Sequence, residues 1–156
     1  MTNDMDNLDL VPDSGRIYVV GALVTDSAGR VYAHRRSLEC KLFPGCWDVI
    51  GGHVESGETL REALVREVRE ETGWELRDVV RCLKEFEWSA DGVVRYETDY
   101  LVTVAGDLTN PRLEDGKQDK FAWFTRETLG TLLENREEGD RAIYDMVEAA
   151  LNAVGK

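Results

Sequence analysis

The chain has 156 residues and a mass of 17.6 kDa, the size of one domain that can bury a core without disulfide or metal staples. Its 19 Lys and Arg face 31 Asp and Glu, a net charge of −12 that disfavours nucleic acid and anionic membranes as partners. No apolar run approaches the roughly 18 residues of a membrane span, and Cys40, Cys46 and Cys82 form no C-x-x-C pair, so a cytoplasmic protein without a disulfide framework is expected.

Residues 1–14 are polar and acidic with little to bury, and are expected to be a flexible lead-in to a single domain over residues 15–156. RIYVVGALV (16–24) and VYAHRR (31–36), separated by turn residues at Asp26–Gly29, predict a hairpin. Ser37–Cys46 reads as a loop, WDVI (47–50) as a short strand and Gly51–Glu58 as a glycine-rich loop. A helix is predicted from about Thr59 to Thr72. Residues 79–88 and 93–104, joined at Asp91–Gly92, predict a second hairpin. A loop over 105–117, a strand at 121–124 and helices over 126–135 and 140–154 complete the chain. The last helix carries Ile143, Met146, Val147, Ala150 and Leu151 on one stripe. This order predicts a mixed sheet with helices on its faces.

The central helix is well specified at its ends. Thr59 and Glu62 form a capping-box pattern, and Gly73 is a natural left-handed stop. At 100° per residue, Leu60, Ala63, Leu64 and Val68 fall within an arc of about 140°, and Glu67 falls inside it. Glu71 lies about 40° to one side of Glu67 and Glu70 about 60° to the other. Three carboxylates on a core-facing stripe repel one another, resist desolvation and oppose the helix dipole. A hard divalent cation such as Mg²⁺ or Mn²⁺ is the natural compensation; a solvated acidic face is the plainer alternative.

Gly52 to Trp74, GHVESGETLREALVREVREETGW, resembles the signature of the Nudix hydrolase superfamily. Gly52, Glu58, Arg66, Glu67, Val68, Glu70, Glu71, Gly73 and Trp74 occupy its fixed positions, with Trp74 bulkier than the usual aliphatic residue. PGCWDVIGG before this stretch and FAWFTRETL after it agree less specifically. The resemblance implies an α/β/α sandwich with a central mixed sheet and a catalytic loop–helix–loop. It implies a small-molecule nucleoside diphosphate derivative as substrate and Mg²⁺ as cofactor, with Mn²⁺ able to substitute. By position, Glu67, Glu70 and Glu71 would hold the metal with the Gly51 carbonyl, Arg66 would brace the carboxylates, and Glu58 would support the loop. Homodimers are common in the family.

The chemistry asks for a base to take a proton from water attacking phosphorus. Glu67 and Glu70 are candidates within the motif; Glu97, Asp99, Glu114, Asp115 and Asp119 are candidates outside it, with Glu97 favoured for its central-looking strand. Arg35, Arg36 and Lys41 form a basic cluster that could meet substrate phosphates or cap a strand end. Trp47 and Trp123 could stack on a base, but aromatics in short strands are more often core. His34 and His53 are too isolated for a metal site, and Cys40 and Cys46 have no His partner to make a nucleophile. Related isopentenyl diphosphate isomerases carry a cysteine where this chain has Gly51, which argues against isomerisation. A non-catalytic ligand-sensing module is a third reading, opposed by the complete glutamate set. No marker of ADP-ribose, dinucleoside polyphosphate or coenzyme A substrates is in place, which leaves a nucleoside triphosphate first and a nucleotide sugar second.

Overall fold

A computed structural model describes residues 4–13 and 15–154. Among the described residues, seven strands and two α-helices follow in the order β1 (Tyr18–Val24), β2 (Val31–Arg36), β3 (Trp47–Asp48), β4 (Ile50–His53), α1 (Leu60–Thr72), β5 (Glu75–Ala90), β6 (Val93–Ala105), β7 (Gln118–Phe124) and α2 (Ala142–Ala153). They build two sheets, ordered β4-β1-β6-β5 and β3-β2-β7. The larger sheet is mixed, since β1 runs parallel to β6 and antiparallel to β4.

Side-chain alternation along β1 feeds two cores, as a strand buried on both faces must. Val20, Ala22 and Val24 point to the α1 side with Leu64, Val68 and Tyr100. Leu23 points to the α2 side with Leu101, Val147 and Ala150. The result is an α/β/α sandwich, as the sequence predicts. Among the described residues, no helix is long and apolar enough to cross a membrane.

Several local expectations are corrected. The first hairpin is not one: the chain reverses at Asp26–Gly29, yet β1 and β2 enter different sheets and share only an isolated bridge, Thr25 to Val31. Both edges of β1 are taken by β4 and β6, which leaves β2 to pair with β3 and β7. The run WDVI is two strands rather than one. Val49 is the joint at which the chain leaves the smaller sheet and enters the larger. Gly51 and Gly52 lie in β4, not in a loop. Residues 126–133 form a 3₁₀-helix, with i+3 bonds such as Thr128 N–H to Thr125 O (3.1 Å).

The lead-in also buries more than expected. Residues 4–9 form a 3₁₀ turn, and Leu8 is fully buried against the α1-side core. Residues 1–3, 14, 155 and 156 of the expected segments lie outside the described residues.

Candidate active site

Helix α1 starts and stops where its caps dictate. Thr59 Oγ1 accepts from the Glu62 amide and Glu62 Oε1 accepts from the Thr59 amide, both at 3.0 Å. Gly73 ends the helix at φ 78°, its amide donating to Arg69 O. The apolar stripe seats the first turns in the core. Its continuation brings Glu67 and Glu71, only 9% and 7% exposed, against the glycine strand β4.

There the fit is close. Glu71 Oε2 accepts from the Gly51 amide at 2.8 Å, and a methyl group at Gly52 would run into the Glu67 carboxylate. Gln118 of β7 donates to Glu71 Oε1 at 3.4 Å, and His34 Nε2 lies 3.8 Å from the same oxygen. Burial, then the charge of Arg36, pushes His34 down to about 3, so it stays neutral and pairs through Nδ1 with the Tyr32 hydroxyl (3.1 Å). It is a buried structural histidine.

Arg66 ties the loop to the helix. Its guanidinium donates twice to Glu58 (2.8 and 2.9 Å), once to Glu67 (2.8 Å), once to Glu70 (3.3 Å) and once to the His53 carbonyl (2.9 Å). Bidentate pairing of this kind fixes orientation as well as charge. Arg66 accordingly holds the Glu58 carboxyl below the ordinary glutamate value.

The other two buried carboxylates are pushed the opposite way. Desolvation, opposed by Arg66 and assisted by Glu70 and Glu114, raises Glu67 to about 7. Burial, then repulsion from Glu67, raises Glu71 well above the usual carboxylate range. Glu70 is half exposed on the next turn. A cleft of about 590 Å³ opens over these groups, also lined by Lys41, Glu114, Lys117 and Gln118.

Among the described residues, no three His, Cys, Asp or Glu side chains are already drawn into a metal-binding group. The donor chemistry nevertheless fits a hard divalent cation. Oxygen donors from one helix converge on one cleft, and two of them resist carrying charge together without a counter-ion.

A profile of the NUDIX domain matches residues 15–147. The chain belongs to the Nudix family. Among curated relatives, it is 39% identical over 97 residues to an uncharacterized Nudix hydrolase of a Nostoc species, covering 51% of this chain and 57% of that protein. It is 38% identical over 104 residues to the nucleoside triphosphatase NudI of an Enterobacter species, covering 58% and 70%. An isopentenyl-diphosphate Delta-isomerase of Mycolicibacterium vanbaalenii is 42% identical over 76 residues, covering 46% and 42%. The match thus spans little more than half of the Nostoc protein and less than half of the isomerase. The fold resembles the MutT protein from Methanosarcina mazei, with TM-score 0.65, 24% identity and coverage of 85% and 93%. It also resembles the E. coli ORF135 protein, with TM-score 0.66, 25% identity and coverage of 91% and 96%.

This Nudix domain sorts the remaining sequence candidates. Arg36 and Lys41 line the cleft, but Arg35 is turned to β7, where it makes a bidentate pair with Asp119 (2.8 Å for each bond). That pairing also removes Asp119 as a free base. Trp47 and Trp123 are structural: Trp47 packs edge-on against Phe124, and Trp123 stacks on Trp74. Burial pushes the Cys46 thiol up, away from an activated thiolate, and Cys40 donates to Lys117 O at 3.4 Å. Asp99 is fully buried. Glu114 lines the carboxylate cleft from the 106–117 loop.

Glu97 lies behind β4 instead. It lines a cavity of about 230 Å³ with Phe43, Asp48, Trp88 and Arg95, reached past Gly51, Gly52 and His53, which border both spaces. Sequence reasoning did not single out Trp88 or Arg95. The available signal was period-two spacing: Arg95 and Glu97 share a face of β6, and Trp88 pairs with Arg95 across the hairpin.

Proposed function

We propose that this Nudix domain hydrolyses a phosphoric anhydride in a nucleoside diphosphate derivative, with a nucleoside triphosphate as the first substrate class and Mg²⁺ as cofactor, Mn²⁺ able to substitute. The observation that carries this reading is the gathering of Glu67, Glu70 and Glu71 at one cleft beside Gly51–Gly52, locked by Arg66. A merely solvated acidic face would leave these carboxylates exposed, whereas two are buried. The name of the NudI relatives supports the triphosphate class.

Glu67, Glu70, Glu71 and the Gly51 carbonyl would hold the cation. When bound, it neutralises anhydride oxygens and acidifies water. The chain does the rest. Arg66 keeps Glu58, Glu67 and Glu70 in register, and the Gly51 amide orients Glu71. At the cleft wall Lys41 offers positive charge to phosphate oxygens, beside Arg36, held by Leu42 O and Asp48, and Lys117, paired with Glu114. Glu67 receives the proton of the attacking water, and Glu114, lining the same cleft, is the candidate base from outside the helix. The partner in this reading is a small nucleotide, and the location a cytoplasm.

Gly51 speaks against isomerase chemistry: a Cβ there would strike the Val20 carbonyl, so this backbone has no room for a cysteine. The test is phosphate or pyrophosphate release from nucleoside triphosphates, ADP-ribose, nucleotide sugars and dinucleoside polyphosphates, with Mg²⁺ or EDTA. Metal-dependent turnover of triphosphates is expected. Silence across the panel despite ligand binding would replace the hydrolase with a sensing module.

A further inference from the structure

The cavity behind β4 is acceptor-rich at its inner end. Glu97 is anchored by the Trp88 indole N–H at 2.9 Å and faces Asp99, and its two oxygens still hold acceptor positions beyond these. Asp99 is sealed behind it, fully buried, and burial together with the facing Glu97 carboxylate pushes it well above the usual carboxylate range. A methyl at Gly21 would strike Asp99 and touch Glu97, so the glycine makes room for both acids on one face of the sheet. Asp48 borders the same space.

The cations around the cavity are already committed. Arg95 donates to the carbonyls of Ala90 and Val93 (3.2 and 3.1 Å) and lays its guanidinium 4.9 Å from the Trp88 ring centre. Arg36 donates to Leu42 O at 2.8 Å and lies 3.6 Å from Asp48. An adjoining hollow of about 170 Å³ shares Phe43, Asp48, Trp88 and Glu97 with the first. Together the two fall in the lower part of the roughly 300–1,000 Å³ usual for small-ligand pockets.

A phosphate is repelled by this acidic end; a planar group with hydrogen-bond donors is not. We propose that Glu97 is a specificity-determining residue that reads the base, accepting from a heterocycle edge on which a ring N–H sits beside an exocyclic amine, the guanine edge. Uracil and thymine turn carbonyls toward such a carboxylate, adenine offers a single amine beside a ring acceptor, and hypoxanthine lacks the amine of guanine. The inference rests on the hydrolase reading only in placing the phosphates over α1.

The experiment has a binding arm and a turnover arm. In EDTA, calorimetric titration with GDP, IDP, ADP and UDP is expected to give GDP a tenfold to hundredfold advantage over the others, the discrimination of one good bidentate pair. Glu97→Gln is expected to erase most of that advantage while leaving ADP and UDP binding within about threefold, since its amide opposes the guanine donors with a donor of its own. With Mg²⁺, the same ratios should appear in kcat/KM for the triphosphates. Equal affinity for all four diphosphates in the unmodified protein overturns the proposal whether or not the variant folds. A Glu97→Gln loss of kcat that is uniform across bases does so too, and returns Glu97 to the role of base. GDP preference without turnover of any triphosphate upholds base reading and overturns the hydrolase; turnover without preference does the reverse.

Discussion

At the scale of single residues, the site depends on what is missing as much as on what is present. Gly51 and Gly52 are neighbours on one strand, yet an added methyl meets different obstacles: backbone at 51, the side-chain carboxylate of Glu67 at 52. Gly51→Ala should therefore cost stability, about 1–3 kcal/mol in a denaturant titration, because Val20 O cannot step aside easily. Gly52→Ala should leave the melting temperature nearly unchanged and lower kcat at least tenfold by displacing Glu67. Glu71→Gln should lower hydrolysis by about 10³-fold with the fold intact, and near-normal turnover in that variant would remove the metal site proposed for α1.

The pH dependence has a defined sign. The folded Glu67 value of about 7 lies above its ordinary 4.5, and Glu71 is raised as well. The folded metal-free protein then holds protons that the unfolded chain releases, so its stability should fall as pH rises from about 4.5 through 7. Melting in EDTA should show that decline, and Mg²⁺ should reverse it, with the gap between the two curves widening toward pH 8.

At the scale of elements, α1 is the part most fully legible in the sequence, because its information is local. Its caps and its stripe lie within one stretch of chain, and the structure returns the capping box, the Gly73 stop and the inward phase of Glu67 and Glu71. Thr59→Ala should cost about 1 kcal/mol in chemical denaturation, with activity per folded molecule retained. The 91–92 hairpin was legible for the same reason: Asp91 and Gly92 both take positive φ, at 54° and 74°, as a tight two-residue turn requires. The β1–β2 pairing was not, since turn residues report a reversal of direction but not which strand comes alongside. Strand β5 hides its pattern differently. Three register shifts, beginning at Leu76, Val79 and Cys82, break the alternation from which a buried face is read.

At the scale of the whole molecule, the cleft was legible and the cavity was not. The carboxylates of α1 are close in sequence, whereas Phe43, Asp48, Trp88 and Glu97 come together only when two sheets face each other. The buried Leu8 was missed for a related reason: Leu8, Leu10 and Val11 in an acidic stretch show no periodicity that singles out the one that is buried. Leu8→Ala should cost about 2–4 kcal/mol, read as a lower midpoint in urea, whereas an exposed Leu8 would leave the midpoint in place.

Val49 has a consequence for how the molecule comes apart. A protein hollowed between two sheets could open like a book, one half fraying while the other persists. Here β3 and β4 lie on either side of one residue and belong to opposite covers, so the binding is sewn through at that point. Amides of β2 and β4 should therefore exchange with deuterium through a single shared opening, and a nucleotide lodged in the hollow should slow both by the same factor.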